Sequence, residues 1–162
     1  MYELNELAQQ VGEQLLLQHK VLAVAESCTG GWVAKCLTDI AGSSQWFDRG
    51  FVTYSNDAKR SMLGVSGATL DSAGAVSEQT VREMVVGVLE NSEATVALAI
   101  SGIAGPGGGM PDKPVGTVCF AWAVGGSQVR AETRHFEGDR EAVRRQSVGH
   151  ALQGLLNVLG QG

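Results

Sequence analysis

A short buried strand that leads directly into a helix is the clearest structural signal in the sequence. The run that begins at Val21 is rich in valine and alanine, which predicts a strand buried on both faces, and helical spacing then predicts a helix from Cys28 to Ile40. Ser27 would therefore lie where the strand ends and the helix begins. Because the first turn of a helix has unpaired N–H groups and the positive end of the helix dipole, an anion formed beside Ser27 would be stabilised there.

Two interpretations of Ser27 are open at this stage. Gly30 and Gly31 are costly inside a helix unless something approaches the backbone closely, which favours a nucleophile that faces an oxyanion site. A serine at the start of a helix is also a common N-cap without any chemical role, and the local pattern alone favours this second interpretation.

Strands and helices alternate along the rest of the chain. Further strands are predicted at 49–55, 94–101, 115–124 and 128–134, and further helices at 4–17, 56–63, 78–89 and from 138 onwards. The 128–134 segment alternates polar and apolar residues, as an antiparallel edge strand with one solvated face would. We therefore predict an α/β protein, a three-layer α/β/α sandwich on a mixed, mostly parallel sheet with a late antiparallel strand, in a single domain of residues 1–162.

The charge balance and the terminal sequence exclude several classes of partner. Lys and Arg number 12 against 17 Asp and Glu, and the net charge of -5 argues against nucleic-acid binding. The acidic N-terminus lacks the order of a signal peptide and no apolar run is long enough to cross a membrane, so we expect a cytoplasmic protein with no membrane contact. No cluster of His, Asp or Glu has metal-ligand spacing, so we expect neither a metal nor another cofactor.

Two adjacent aromatic residues, Trp46 and Phe47, are predicted to lie in a loop. They could line a ligand pocket, form a subunit contact or simply anchor the loop in the core. Because they look exposed, we expect that a partner surface covers them and that the chain forms a homo-oligomer.

Lys59 is predicted in the first turn of a short helix that Asn56 would cap. The helix dipole opposes a cation at this end, and burial would lower the pKa of a lysine further. A free lysine has a pKa of about 10.4, whereas a useful general base has a pKa near about 7 to 8, so burial would have to supply most of the difference. Taken in isolation, the residue is more typical of an ordinary exposed lysine.

Few kinds of catalytic group are compatible with the remaining residues. The three histidines are His19, His135 and His150. None of them has a glycine-flanked or strand-end setting, so a Ser-His-Asp triad lacks an evident base. Cys28 could itself be a nucleophile, but it lacks a histidine partner and ranks below Ser27. The pattern favours a serine activated by an amine, with Lys59 as the base.

The loop that follows the third strand is unusually rich in glycine. The sequence from Ser101 to Gly109 is typical of loops whose backbone N–H groups converge on a phosphate or another anion, although it lacks the Lys-Ser/Thr ending of a nucleotide-triphosphate loop. Arg140, Arg144 and Arg145 lie in the early turns of the last helix. They could reach an anionic ligand, or they could form a solvated face with the acidic residues beside them.

Several sequence blocks, taken together, resemble the CinA C-terminal domain family. They are 25–31, 54–56 with Lys59, 101–106, 113–117 and 138–140, and they follow in order over nearly the whole chain. The resemblance implies the activity characterised for that family, the hydrolysis of nicotinamide mononucleotide to nicotinate mononucleotide and ammonia in pyridine-nucleotide recycling. Two alternatives remain, a catalytically silent nucleotide-binding regulatory module and a structural partner in a competence or DNA-damage context.

The resemblance also implies roles for particular residues. The family's serine–lysine dyad falls on Ser27 and Lys59. Tyr54 would donate a hydrogen bond to the dyad or stack on the pyridinium ring. Alternatively, Tyr54 is only a buried residue of the predicted strand, without a role in the site. The substrate, a small nucleotide, would be bound by the remaining candidates. These are Thr29, Gly30 and Gly31, whose N–H groups would hold the oxyanion, and Gly102, Ala104, Gly105 and Arg140, which would hold the 5′-phosphate.

Overall fold

The computed structural model describes residues 3–160, which form one β-sheet between two layers of helices. In chain order the elements are α1 (Leu4–Leu17), β1 (Leu22–Glu26), α2 (Trp32–Thr38), β2 (Phe47–Val52), α3 (Asn56–Leu63), α4 (Gly67–Ser72), α5 (Glu78–Glu90), β3 (Val96–Gly102), β4 (Thr117–Val124), β5 (Arg130–His135) and α6 (Arg140–Gly160). A 3-10 turn, Ser43–Gln45, precedes β2. Within this part of the chain no helix has the length and apolar composition needed to cross a bilayer.

The sheet has the strand order β2-β1-β3-β4-β5. β1 pairs in parallel with β2 and β3, and β4 pairs antiparallel with both β3 and β5. All strands except β4 therefore run in one direction, which confirms the predicted α/β sandwich on a mixed, mostly parallel sheet. The carboxyl ends of β1, β2 and β3 meet at one edge of the sheet, where open α/β sheets bind their ligands.

The two faces of the sheet carry side chains of different size. Branched residues such as Val24 and Leu98 face α1, α2 and α6, whereas alanines such as Ala25 and Ala99 face α3, α4 and α5. On this second side α3 and α5 approach closely, because a Cβ added to Gly87 of α5 would collide with the backbone of Leu63. The close packing buries the inner side of α3, which carries Lys59.

The helix after β1 begins at Trp32, not at Cys28 as predicted. Gly30 and Gly31 have φ angles of 60° and 106°, and two successive left-handed residues form a turn rather than a helix. The N-cap of α2 is Gly31, so the interpretation of Ser27 as an N-cap is wrong. N–H groups in the first turn of α2 are already paired, because the Glu26 carboxylate accepts hydrogen bonds from the N–H groups of Val33 and Ala34 at 2.9 and 3.0 Å. The prediction that this helix end stabilises an anion beside Ser27 is therefore wrong.

The aromatic pair Trp46 and Phe47 packs into the core instead of lying exposed in a loop. Trp46 is only 2% exposed and its indole ring packs against Gly12 of α1, where an added Cβ would lie 2.6 Å from the ring. Phe47 is the first residue of β2, which ends at Val52, so the predicted strand 49–55 begins two residues too late and ends three residues too late. Because the aromatic pair needs no partner surface, the argument that led to a homo-oligomer is wrong, and the oligomeric state stays a prediction.

Two details of the segment after β2 differ from expectation. Ser55, not Asn56, caps α3, since its hydroxyl accepts a hydrogen bond from the N–H of Ala58 at 3.0 Å. Tyr54 lies beyond the end of β2 and is 62% exposed, so burial in a strand does not explain it. A third difference is helix α4, which no pattern in the sequence predicts.

Candidate active site

A cleft of about 290 Å³ lies at the sheet edge where β1, β2 and β3 end. Its lining includes Ser27, Tyr54, Lys59, Gly102, Gly105 and Arg140. The parallel strands bring these residues together, because the segments that leave their carboxyl ends all pass over the same edge.

The side-chain amine of Lys59 contacts the hydroxyl of Ser27. Lys59 Nζ lies 3.1 Å from Ser27 Oγ, 2.9 Å from the carbonyl oxygen of Thr53 and 3.4 Å from that of Tyr54. A charged lysine would donate one N–H to each of these acceptors. A neutral lysine would donate to the two carbonyl groups and accept the Ser27 O–H through its lone pair. The same geometry thus suits both protonation states of the amine.

Burial favours the neutral state of Lys59. The residue is 1% exposed, and removal from water lowers the pKa of its amine from the ordinary 10.5. Within residues 3–160 no carboxylate forms an ion pair with it. The interpretation of Lys59 as an ordinary exposed lysine is therefore wrong. The helix dipole alone could not lower the pKa of this lysine far enough, and the structure supplies the burial that was also required.

Cys28 does not compete with Ser27 as a nucleophile. Burial raises the pKa of the Cys28 thiol to about 12, although the positive charge of Arg144 opposes part of this shift. A thiol with this pKa is protonated at neutral pH, and the thiolate is the nucleophilic form.

The turn that carries Ser27 is held from outside the cleft. The N–H of Ser27 donates to the carbonyl of Ile100 at 3.1 Å, and the N–H of Gly30 donates to the carbonyl of Ser27 at 3.0 Å. From α6, Arg144 donates to the carbonyl groups of Cys28 and Thr29 at 2.9 and 3.2 Å. Its guanidinium also lies 5.7 Å from the ring centroid of Trp32.

The predicted oxyanion residues do not reach the cleft. Thr29 is fully buried, and Thr29, Gly30 and Gly31 are absent from the residues that line it. The N–H of Gly30 is already paired with the Ser27 carbonyl. In the structure these residues form the turn that follows Ser27, and their role as oxyanion donors stays a prediction.

The other predicted binding residues do meet at the cleft. Arg140, the first residue of α6, donates to the carbonyl of Gly105 at 2.8 Å and to the hydroxyl of Tyr54 at 3.2 Å. Gly102 and Ala104 line the same space. A cation, a phenol ring and a glycine-rich loop are therefore linked in one rim of the cleft that Ser27 and Lys59 also line.

A sequence model of the CinA C-terminal domain matches residues 4–159. The chain belongs to the CinA C-terminal domain family. It is 56% identical over 153 residues to a protein of Escherichia coli (strain K12) named nicotinamide-nucleotide amidohydrolase PncC, covering 94% of this chain and 93% of that protein. A Pseudomonas putida protein of the same name is 50% identical over 158 residues, with 98% of each chain covered.

Solved structures of CinA proteins have the same fold. The CinA superfamily protein of Klebsiella pneumoniae 700603 superimposes with a TM-score of 0.95 at 42% identity, covering 99% of both chains. The competence/damage inducible protein CihA of Agrobacterium tumefaciens gives a TM-score of 0.92 at 46% identity, covering 97% of this chain and 95% of that one. The predicted family and fold are both confirmed.

In this CinA domain, sequence reasoning missed two residues beside the candidate nucleophile. Glu26 was passed over because a buried carboxylate that caps the following helix has no sequence signature of its own. Ser101 ends a predicted strand and begins the glycine-rich loop, and the sequence pattern indicates no separate role for it. Counting alternate residues along the two neighbouring strands would have placed Ser101 on the same face as Ser27.

Proposed function

We propose that this chain is a nicotinamide-nucleotide amidohydrolase that converts nicotinamide mononucleotide to nicotinate mononucleotide and ammonia, and so recycles pyridine nucleotides. The observation that carries the proposal is the 3.1 Å contact between Ser27 Oγ and Lys59 Nζ, an amine that burial drives toward its neutral form. The choice of substrate rests on the names of the relatives that are 50–56% identical over nearly the whole chain.

Acylation begins with proton transfer from the Ser27 hydroxyl to neutral Lys59. Ser27 Oγ attacks the carboxamide carbon, and the C=O electron pair moves to the oxygen. When the tetrahedral intermediate collapses, the C–N bond breaks and the leaving nitrogen takes the proton from Lys59, so ammonia departs. The product of this half-reaction is an ester between Ser27 and the nicotinate nucleotide.

Deacylation reverses the roles with water in place of ammonia. Lys59, neutral again, takes a proton from water, and the hydroxide oxygen attacks the ester carbon. The C–O bond to Ser27 breaks, and Ser27 Oγ recovers its proton from Lys59. The Thr53 and Tyr54 carbonyl groups can hold the amine in place through both half-reactions.

The backbone N–H of Cys28 is the best candidate for one oxyanion donor. It follows Ser27 directly, and within residues 3–160 it donates to no carbonyl group. The N–H of the residue after the nucleophile has this role in other hydrolases whose serine follows a strand. We therefore propose Cys28 in place of the 29–31 segment.

The arginine on the rim is suited to the 5′-phosphate. Arg140 keeps its guanidinium beside the 103–108 loop, whose glycines leave backbone N–H groups accessible. Tyr54, held by Arg140 and largely exposed, can lie against the pyridinium ring.

Replacement of Arg140 by alanine is expected to raise KM for nicotinamide mononucleotide by about 10- to 100-fold, because a charge-assisted contact to the phosphate is lost. The reaction with nicotinamide riboside, which lacks the phosphate, should change much less. Arg145→Ala is the matched control, since Arg145 is an exposed arginine of the same helix outside the cleft. Equal losses with nucleotide and nucleoside would contradict phosphate binding by Arg140.

The rate should rise with pH as Lys59 loses its proton. Only the neutral amine can accept the Ser27 proton, and burial lowers the pKa of Lys59 below 10.5, so the midpoint of the rising limb should lie below that value. The pH profile of kcat under saturating substrate measures this midpoint. A rate that is independent of pH, or that rises only above 10.5, would contradict Lys59 as the base.

A further inference from the structure

A second serine lies directly beside Ser27 on the sheet. β1 and β3 pair in parallel with Ala25 opposite Ala99 and Glu26 opposite Ile100, and the ladder continues through the hydrogen bond from the Ser27 N–H to Ile100. Ser101 is therefore the neighbour of Ser27. Because side chains alternate along a strand, both serines point to the face that Ala25 and Ala99 share, where Lys59 also lies.

The hydroxyl of Ser101 has no partner in the described part of the chain. Ser101 is 1% exposed, yet it lines the cleft. Its oxygen is also not one of the fully enclosed unpaired side-chain atoms, which are Thr29 Oγ1 and Thr53 Oγ1 within residues 3–160. A buried serine ordinarily pairs, as Ser147 does with the Val143 carbonyl at 2.7 Å. An unpaired hydroxyl at the floor of a cleft is available to a ligand.

Lys59 and Ser101 flank the nucleophile from opposite sides. Lys59 is held by the carbonyl groups of Thr53 and Tyr54, which follow β2, on one side of β1. Ser101 belongs to β3, on the other side. The leaving nitrogen must face Lys59 to receive its proton, which directs the carbonyl oxygen away from β2 and toward β3.

We propose that the Ser101 hydroxyl donates a hydrogen bond to the carbonyl oxygen of the scissile carboxamide and to the oxyanion that forms from it. This assignment rests on the proposed attack by Ser27 and deepens it. Ser101 would be a second donor to the oxyanion, from a side chain, beside the backbone N–H of Cys28. No protein acceptor within residues 3–160 competes for its proton, so the donor is available before substrate binds.

The test compares Ser101→Ala with wild type in two reactions. One is ammonia release from nicotinamide mononucleotide. The other is the burst of 4-nitrophenolate from 4-nitrophenyl acetate, an ester that acylates a serine through the same kind of oxyanion but carries no nucleotide and no amide nitrogen. We expect both rates to fall by about 10²- to 10³-fold, with the dissociation constant of the nucleotide changed by less than about 3-fold.

Ser147→Ala is the matched control, since Ser147 is a buried serine of α6, the helix that packs on the opposite side of the sheet. It should leave both rates close to wild type. Alanine at 101 should fold, because alanines already occupy this face of β3 at Ala97 and Ala99, and thermal unfolding checks this.

The outcomes separate this assignment from the proposed function. Unchanged rates in both reactions would overturn a role for Ser101, and loss with the amide alone would assign it to the leaving nitrogen instead of the oxyanion. If wild type releases no ammonia but is acylated at Ser27 by the ester, the proposed substrate fails and the ester rates alone decide the role of Ser101. If neither reagent acylates wild type, both proposals are overturned.

Discussion

Replacement of Ser27 by alanine is expected to lower kcat for nicotinamide mononucleotide by at least about 10⁴-fold, because the atom that attacks the carboxamide is removed. The substrate should still bind, since the phosphate and the pyridinium ring contact other residues. Ammonia release measures the first effect, and calorimetric titration of the variant with nicotinamide mononucleotide measures the second.

The variant should also keep its fold. Within residues 3–160 the hydrogen-bond partners of Ser27 Oγ are Lys59 Nζ and, at 3.4 Å, the Tyr54 carbonyl, so alanine removes little that stabilises the protein. Turnover within about 10-fold of wild type would exclude Ser27 as the nucleophile, because removal of a covalent nucleophile costs far more. Binding without turnover in wild type itself would instead favour the silent nucleotide-binding module.

Replacement of Lys59 by methionine is expected to lower kcat by about 10²- to 10⁴-fold, the usual contribution of a general acid–base group. Methionine has a similar length and fits the buried site, but it can neither accept nor return a proton. Lys59→Arg is the matched variant, because arginine keeps the charge and cannot be deprotonated in a protein. Both variants should lose activity, whereas full activity in Lys59→Arg would show that only the positive charge matters.

The same lysine should make the stability of the protein depend on pH. Burial lowers the pKa of Lys59 in the folded protein, so between this lowered pKa and the ordinary 10.5 the unfolded chain binds more protons than the folded one. The free energy of unfolding therefore gains from Lys59 as pH rises through this window. Lys59→Met should lack this gain, which urea titrations of both proteins across the window can measure, and equal slopes would contradict a lowered pKa.

The sequence predicted the α/β class and most of the strands and helices because the signals for these elements are local. The valine and alanine run of β1, the helical spacing of α1 and α5 and the alternation in β5 each depend on neighbours a few residues apart. Elimination of other bases favours a pair of Ser27 and Lys59, and the family resemblance implies the same two residues. Neither argument reveals that Lys59 is buried, because its burial comes from the packing of α3 against α5 at Gly87, which nothing near Lys59 in the sequence reports.

Some of the errors arose where distant parts of the chain meet, and others from local backbone geometry that residue types do not report, such as the left-handed Gly30 and Gly31. Trp46 looked exposed because its partner, Gly12, lies in another helix. The start of α2 looked available to an anion beside Ser27 because sequence alone does not reveal that the Glu26 carboxylate accepts hydrogen bonds from N–H groups in the first turn of this helix. Arg140 and Arg144 lie one helical turn apart and looked like one cluster, yet they bind different segments. Arg140 donates to the Gly105 carbonyl, whereas Arg144 donates to the Cys28 carbonyl.

The most direct test of the proposed function is to incubate the wild-type chain with nicotinamide mononucleotide and quantify both products. The proposal predicts ammonia and nicotinate mononucleotide in equal amounts, formed in proportion to the protein and not formed by Ser27→Ala prepared in parallel. A folded wild-type chain that binds the nucleotide and releases no ammonia at any pH where it is stable would contradict the proposal.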